Sequence, residues 1–135
     1  MPKLLLDSNA LLWVLSEPHK LGRLARRLIE RESSPHYSAV TIFELTLKSQ
    51  IRSQSGKRAL TLPNSFSELV NAVGFIEVPL RAEHADLANS FLDFGSGDPV
   101  DRMILAQALH ENAVLLTSDQ KILAMNRDWI VDAQI

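Results

Sequence analysis

The chain has no cysteine among its 135 residues, which excludes a disulfide framework and a thiolate zinc site. Its four histidines, His19, His36, His84 and His110, are scattered and form no His-x-x-x-His pair, so zinc is not expected. No apolar run approaches the ~20 residues needed to cross a bilayer. The first apolar run is broken by Asp7-Ser8-Asn9, which does not suit a signal peptide. There is no Gly-x-x-x-x-Gly-Lys-Ser/Thr phosphate loop and no Gly-x-Ser-x-Gly elbow. The net charge of −2 gives no basic coat for nucleic acid, yet leaves room for a local basic patch beside an acidic site. A single domain over residues 1–135 is expected, because a domain takes roughly 100–200 residues. The 46% apolar content is ordinary for a globular protein. The expected location is the cytoplasm, with no membrane contact.

What is present is an alternation of short apolar runs and amphipathic stretches. Continuous apolar character predicts strands over 4–6, 75–78 and 114–116, with weaker candidates at 37–39 and 129–131. Helices are predicted over 10–15, 21–31, 40–51, 66–73, 83–92, 99–110 and 120–125. Gly74 stops one of them, and the Asp98-Pro99 pair starts another. The polar stretch 52–65 reads as a loop and 94–97 as a turn. Such alternation implies an α/β fold with a mainly parallel sheet covered on both faces. In open sheets of this kind, sites form beyond the carboxyl ends of the strands.

Four acids sit where carboxylates are not expected by default. Asp7 and Asp119 each follow an apolar strand candidate. Each reads equally as a helix N-cap and as a site carboxylate at a strand end. Glu44 could pair with Lys48 one turn on, an exposed pair worth ~0.3–0.5 kcal/mol. A 100° helical step, however, aligns Glu44 with Val40, Leu47 and Ile51, a stripe that should be buried. Asp101 shares a face with Ile104, Leu105 and Ala108. Asp98 is explained by capping at the positive end of the helix dipole. Carboxylates that converge repel one another, and burial raises the penalty. A hard divalent cation such as magnesium is the usual remedy, since oxygen ligands suit it.

With those residues in view, the chain resembles the PIN domain family and, within it, the VapC-type ribonuclease toxins of toxin–antitoxin pairs. The stretches that carry the resemblance are Leu6-Asp7-Ser8-Asn9-Ala10-Leu11-Leu12-Trp13, Ser38-Ala39-Val40-Thr41-Ile42-Phe43-Glu44-Leu45, Asp98-Pro99-Val100-Asp101-Arg102-Met103-Ile104-Leu105-Ala106-Gln107-Ala108 and Leu115-Leu116-Thr117-Ser118-Asp119. The resemblance implies a three-layer α/β/α fold and magnesium- or manganese-dependent RNA cleavage. It also implies a VapB-type antitoxin partner and a homodimer. Asp7, Glu44, Asp101 and Asp119 match its acidic cluster, with Asp7 and Asp101 as main direct ligands. Thr117 and Ser118 match positions beside the last acid. Two departures stand out: Phe94-Gly95-Ser96-Gly97 replaces a frequent histidine, and Val100 replaces a frequent aromatic. Candidate RNA contacts are Arg102, Lys48, Arg52, Lys57 and Arg58, and Arg23, Arg26 and Arg27 form a further basic strip. The alternatives are a PIN nuclease of RNA processing without an antitoxin, and a non-catalytic RNA- or protein-binding module. A phosphatase of the haloacid dehalogenase type wants a second Asp where Asn9 stands.

Overall fold

The computed structural model describes residues 2–32, 34–54, 62–63, 65–91 and 98–135, with the backbone alone over 52–54. The elements are β1 (Lys3–Leu6), α1 (Ser8–Ser16), a 3-10 turn (Pro18–Lys20), α2 (Arg23–Arg31), β2 (His36–Ser38) and α3 (Ala39–Gln54). They continue with α4 (Phe66–Val73), β3 (Ile76–Val78), α5 (Ala82–Ala88), α6 (Pro99–His110), β4 (Ala113–Thr117), α7 (Gln120–Leu123) and β5 (Ile130–Asp132). The five strands lie in the order β3-β2-β1-β4-β5, and every pairing is parallel. Strand order reverses between β1 and β4, so the crevice of the sheet opens at their carboxyl ends.

The apolar runs are continuous in β1 and β4 because both faces of the sheet are covered. Leu4, Leu6 and Leu116 pack with residues of α1, α2 and α4 on one side. Leu5 and Leu115 pack with residues of α5, α6 and α7 on the other. Leu5, Leu6, Leu115 and Leu116 are each fully buried, and burying one leucine side chain contributes about 1.5–3 kcal/mol. Helix α3 serves both layers, giving Leu45 to the first and Val40 to the second.

Local chemistry sets the helix ends. Asp98 caps α6 by accepting the Val100 amide at 2.8 Å, and Pro99 takes the first helical position. Gly74 ends α4 with φ +108, a left-handed conformation that glycine adopts without a Cβ clash. Farther along α6, Gln107 is fully buried. Its Nε2 donates to Val78 O at 3.2 Å and Pro79 O at 3.4 Å, and its Oε1 accepts from the Ser38 hydroxyl. This bracket ties α6 to the ends of β2 and β3.

Past β5 the chain folds back on α2. Gly22 N donates to Ala133 O at 2.9 Å, and Leu24 N and Ala25 N donate to Ile135 O at 2.9 and 3.2 Å. Backbone oxygen thus caps a helix that has no side-chain cap. A Cβ on Gly22 would overlap the carbonyl group of Ile135. Gly22→Ala is expected to destabilise the fold by about 1–3 kcal/mol, the range for forced overpacking, read as a shift in urea midpoint.

Some expectations needed correction. Helix α3 runs on to Gln54, so Arg52 belongs to it rather than to a loop. Leu47 and Ile51 are 41% and 55% exposed, so the stripe expected to bury Glu44 leaves the core after Val40. The buried positions are Thr41 and Leu45 instead, because only the first turns of α3 meet the sheet layers. Helix α2 starts at Arg23, after an extended Leu21-Gly22, and α5 ends at Ala88. The turn expected at 94–97 lies outside the described residues, as do 55–61 and 64 of the loop expected over 52–65. No helix among the described residues is long and apolar enough to cross a membrane.

Candidate functional site

At the seam of β1 and β4 lies a cleft of about 180 Å³, lined by Asp7, Ser8, Asn9, Glu44, Lys48, Asp98, Asp101, Ser118 and Asp119. All four acids singled out from the sequence therefore meet, although Asp7 and Asp119 are more than a hundred residues apart. The pairing of Leu6 with Leu116 sets this up, since each acid follows its strand.

Asp7 is buried. Its Oδ1 accepts the Ser8 amide at 2.8 Å and its Oδ2 accepts the Thr117 hydroxyl at 2.7 Å. Burial pushes its carboxyl above the usual range; those two hydrogen bonds oppose the shift, and the charges of Glu44 and Asp119 add to it. Asp119 caps α7 with Oδ1 alone, accepting the Lys121 and Ile122 amides at 2.9 and 3.1 Å. The choice between cap and site thus dissolves: one carboxylate has two oxygens, and capping uses one. Thr117 serves both acids, because its Oγ1 also accepts the Asp119 amide at 3.1 Å.

Glu44 is half-buried, accepts the Ser8 hydroxyl, and stands 3.9 Å from Lys48 Nζ. Lys48 is the one cation lining the cleft among the described residues. Asp98 keeps its capping role but also reaches the site. Ligand oxygens of Glu44, Asp98 and Asp101 all lie within 4.8 Å of one another. Asp101 is pushed up to about 7, first by desolvation and then by the charges of Asp7, Asp119, Asp98 and Glu44. Burial and the gathered carboxylates thus both disfavour the charged form of Asp101.

Sequence reasoning passed over Ser8 and Asn9. Ser8 orients Glu44, and Asn9 Nδ2 donates to Ser118 Oγ at 2.9 Å. Their signal was position, directly after Asp7 in the first turn of α1. Thr117 is buried behind the cleft, and Ser118 lines it. Arg102 is half-buried on α6 and does not line the cleft. Lys57 and Arg58 lie outside the described residues, as does the Arg52 side chain.

The donor set is oxygen only, crowded and short of cations, which fits a hard divalent ion. A second set of metal-competent groups, His84, His110 and Glu111, gathers at the other end of α6. There the two histidine rings pack edge to face, 4.9 Å apart, an approach that spacing in the sequence did not show. His84 Nδ1 accepts the Arg81 amide at 3.0 Å, which puts the ring proton on Nε2. A metal at Nε2 would require the other tautomer and the loss of that capping bond. This second set does not fit a metal.

Comparison with known proteins agrees with the geometry. Residues 4–127 match the model of the PIN domain. The chain is 33% identical over 123 residues to Ribonuclease VapC22 of Mycobacterium tuberculosis, covering 90% of this chain and 91% of that protein. Its fold is similar to a chain of the DNA-bound VapBC complex from Salmonella typhimurium, with a TM-score of 0.65, 18% identity and 98% of each chain covered. A toxin–antitoxin complex from Klebsiella pneumoniae gives a TM-score of 0.63 at 18% identity, with 96% of each chain covered. The parallel sheet, the acidic cleft at its topological switch and these likenesses have one reading: the chain belongs to the PIN domain family, among its VapC-type members.

Proposed function

We propose that this chain is a metal-dependent endoribonuclease that hydrolyses RNA phosphodiester bonds at the acidic cleft. The observation that carries it is the convergence of Asp7, Glu44, Asp98, Asp101 and Asp119 on one cleft, a crowding in line with the upward push on the Asp101 carboxyl by desolvation and by its acidic neighbours. Such crowding is relieved by a cation. Asp7, Glu44, Asp101 and Asp119 would hold magnesium or manganese, with Asp98 close enough to join Glu44 and Asp101. Bound there, such an ion would supply Lewis-acid polarisation of a phosphodiester and a lower pKa for water.

The protein's own groups do the rest. Thr117 and the Ser8 amide fix both oxygens of Asp7, so that carboxylate does not reorient when substrate arrives. Thr117 also holds the backbone of Asp119, which locks the two strand ends to each other. Ser8 turns Glu44 toward the cleft. Lys48 offers a mobile ammonium to a phosphate oxygen, because its link to Glu44 is long and the side chain is half exposed.

The likeness to a named ribonuclease and to toxin–antitoxin complexes supports a toxin with a VapB-type antitoxin as partner. We place it in the cytoplasm as a single domain. A second copy of the chain is the expected cover for the exposed apolar stripe of Phe43, Leu47 and Ile51 on α3.

The test is cleavage of a labelled RNA by the purified chain. Magnesium or manganese should support it, EDTA should stop it, and added metal should restore it. Titration calorimetry should show the same ion binding without RNA. Cleavage that persists in EDTA overturns the reading.

A further inference from the structure

Helix α2 breaks three local rules at once. Arg23 sits at its first position, and its first turn has no acidic residue; cations there oppose the helix dipole. Arg23, Arg26 and Arg27 are three and four residues apart, a spacing at which like charges face each other about 5–6 Å apart and destabilise the helix. Glu30 lines the same recess of about 400 Å³ with Leu21 and the three arginines. Yet among the described residues none of the three forms an ion pair within 4.0 Å. All three are exposed. Charge held against both dipole and neighbours is expected where a polyanion docks.

Position identifies the polyanion. Thr117 O accepts the Ala133 amide at 2.8 Å, and Ala133 O accepts the Gly22 amide at 2.9 Å. The first turn of α2 is therefore anchored to the strand end that carries Asp119, at the same carboxyl edge of the sheet. Two strand spacings, roughly 10 Å, separate it from the β1–β4 seam. That gap is short enough for a strand bound in the cleft to reach the strip with its neighbouring phosphates.

We infer that Arg23, Arg26 and Arg27 form a phosphate-binding strip that holds the RNA backbone beside the cleft. The inference rests on the ribonuclease reading and extends it from the reacting phosphate to its neighbours. The strip recognises backbone charge rather than bases, so it adds affinity without sequence preference. It also offsets the repulsion that the acidic cleft exerts on incoming RNA.

The test compares the parent with a triple variant, Arg23→Gln, Arg26→Gln and Arg27→Gln. Glutamine keeps helix propensity close to that of arginine. Binding of a 20-nucleotide RNA is followed by fluorescence anisotropy across salt concentrations, with magnesium present and Asp101→Asn in both proteins so that nothing is cut. The slope of log affinity against log salt should fall by about 2, at ~0.7 per phosphate contact on a single strand. In the active background, KM for that RNA should rise about 10-fold or more with kcat unchanged. A dinucleotide, too short to reach the strip, should show neither change.

An unchanged salt slope overturns the strip. So does a variant that binds RNA normally but loses affinity for a polyglutamate peptide, which would assign the surface to an acidic protein partner. Failure of the parent to cut any RNA counts against the nuclease reading, while the anisotropy slope still decides the strip.

Discussion

Asp101→Asn is expected to reduce RNA cleavage at least about 100-fold, since even groups that merely support a metal ligand change affinity or activity by 10–100-fold. The same substitution should make the metal-free protein more stable at pH 8. An aspartate in an unfolded chain titrates near 3.9, whereas Asp101 in the fold is pushed up to about 7. Between those values the folded state binds the extra proton, so stability falls as pH rises from about 4 to 7. Above 7 the whole penalty is present. Asparagine has no charge to desolvate and none to set against Asp7, Asp119, Asp98 and Glu44. In EDTA the parent should therefore melt lower at pH 8 than at pH 5, and the variant should lose less. A smaller drop remains in the variant, because Asp7 is shifted in the same direction. Added magnesium should raise the melting temperature of the parent more than that of the variant. Lost activity with an unchanged pH dependence would sink the crowding account and leave Asp101 as a simple contact residue.

Gln107→Leu should have the largest effect on stability outside the apolar core. Leucine matches the volume but strands Val78 O and Pro79 O, which lose the Gln107 amide, and leaves the Ser38 hydroxyl without its acceptor. A buried polar group left unpaired costs ~1–3 kcal/mol, so a loss of about 2–4 kcal/mol is expected, or roughly 10 °C in Tm. The function of the bracket is positional. It fixes where α6 lies along the sheet, and Asp98 and Asp101 occupy the first turn of that helix. Cleavage at a temperature where the variant remains folded should fall in kcat, and metal affinity should weaken with it. A variant as stable as the parent would show that Gln107 only fills space.

How far the residues alone led depends on which link is asked. Strands β1 and β4 were legible because burial on both faces demands continuous apolar runs. Helices α4 and α6 were legible to the residue, since Gly74 and the Asp98-Pro99 pair mark their ends chemically. The extension of α3 to Gln54 was not, because Arg52, Ser53 and Gln54 are all polar and carry no apolar periodicity for a pattern to report. Its stripe misled for a related reason: a helix at the margin of two layers touches each briefly. Glu44 was picked out for lying on a buried face, yet Leu47 and Ile51 on that face meet solvent. What half-buries Glu44 is the cleft itself. Asp7 and Asp119 were ambiguous locally, and only the pairing of β1 with β4 shows that both caps also line one cleft. No local signal encodes that pairing, nor the meeting of His84 with His110.

The pairing of β1 with β4 also governs when the chain can act. Asp7 and Asp119 are 112 positions apart, and they line one cleft only because β4 pairs with β1. A growing chain therefore carries an incomplete cleft until Asp119 has been made and β4 has entered the sheet. Pairing strands so distant in sequence is intrinsically slow, because loop closure precedes any gain from contact. A cleft built this way is completed across a long loop rather than by any local turn, so it forms only once β4 has closed on β1.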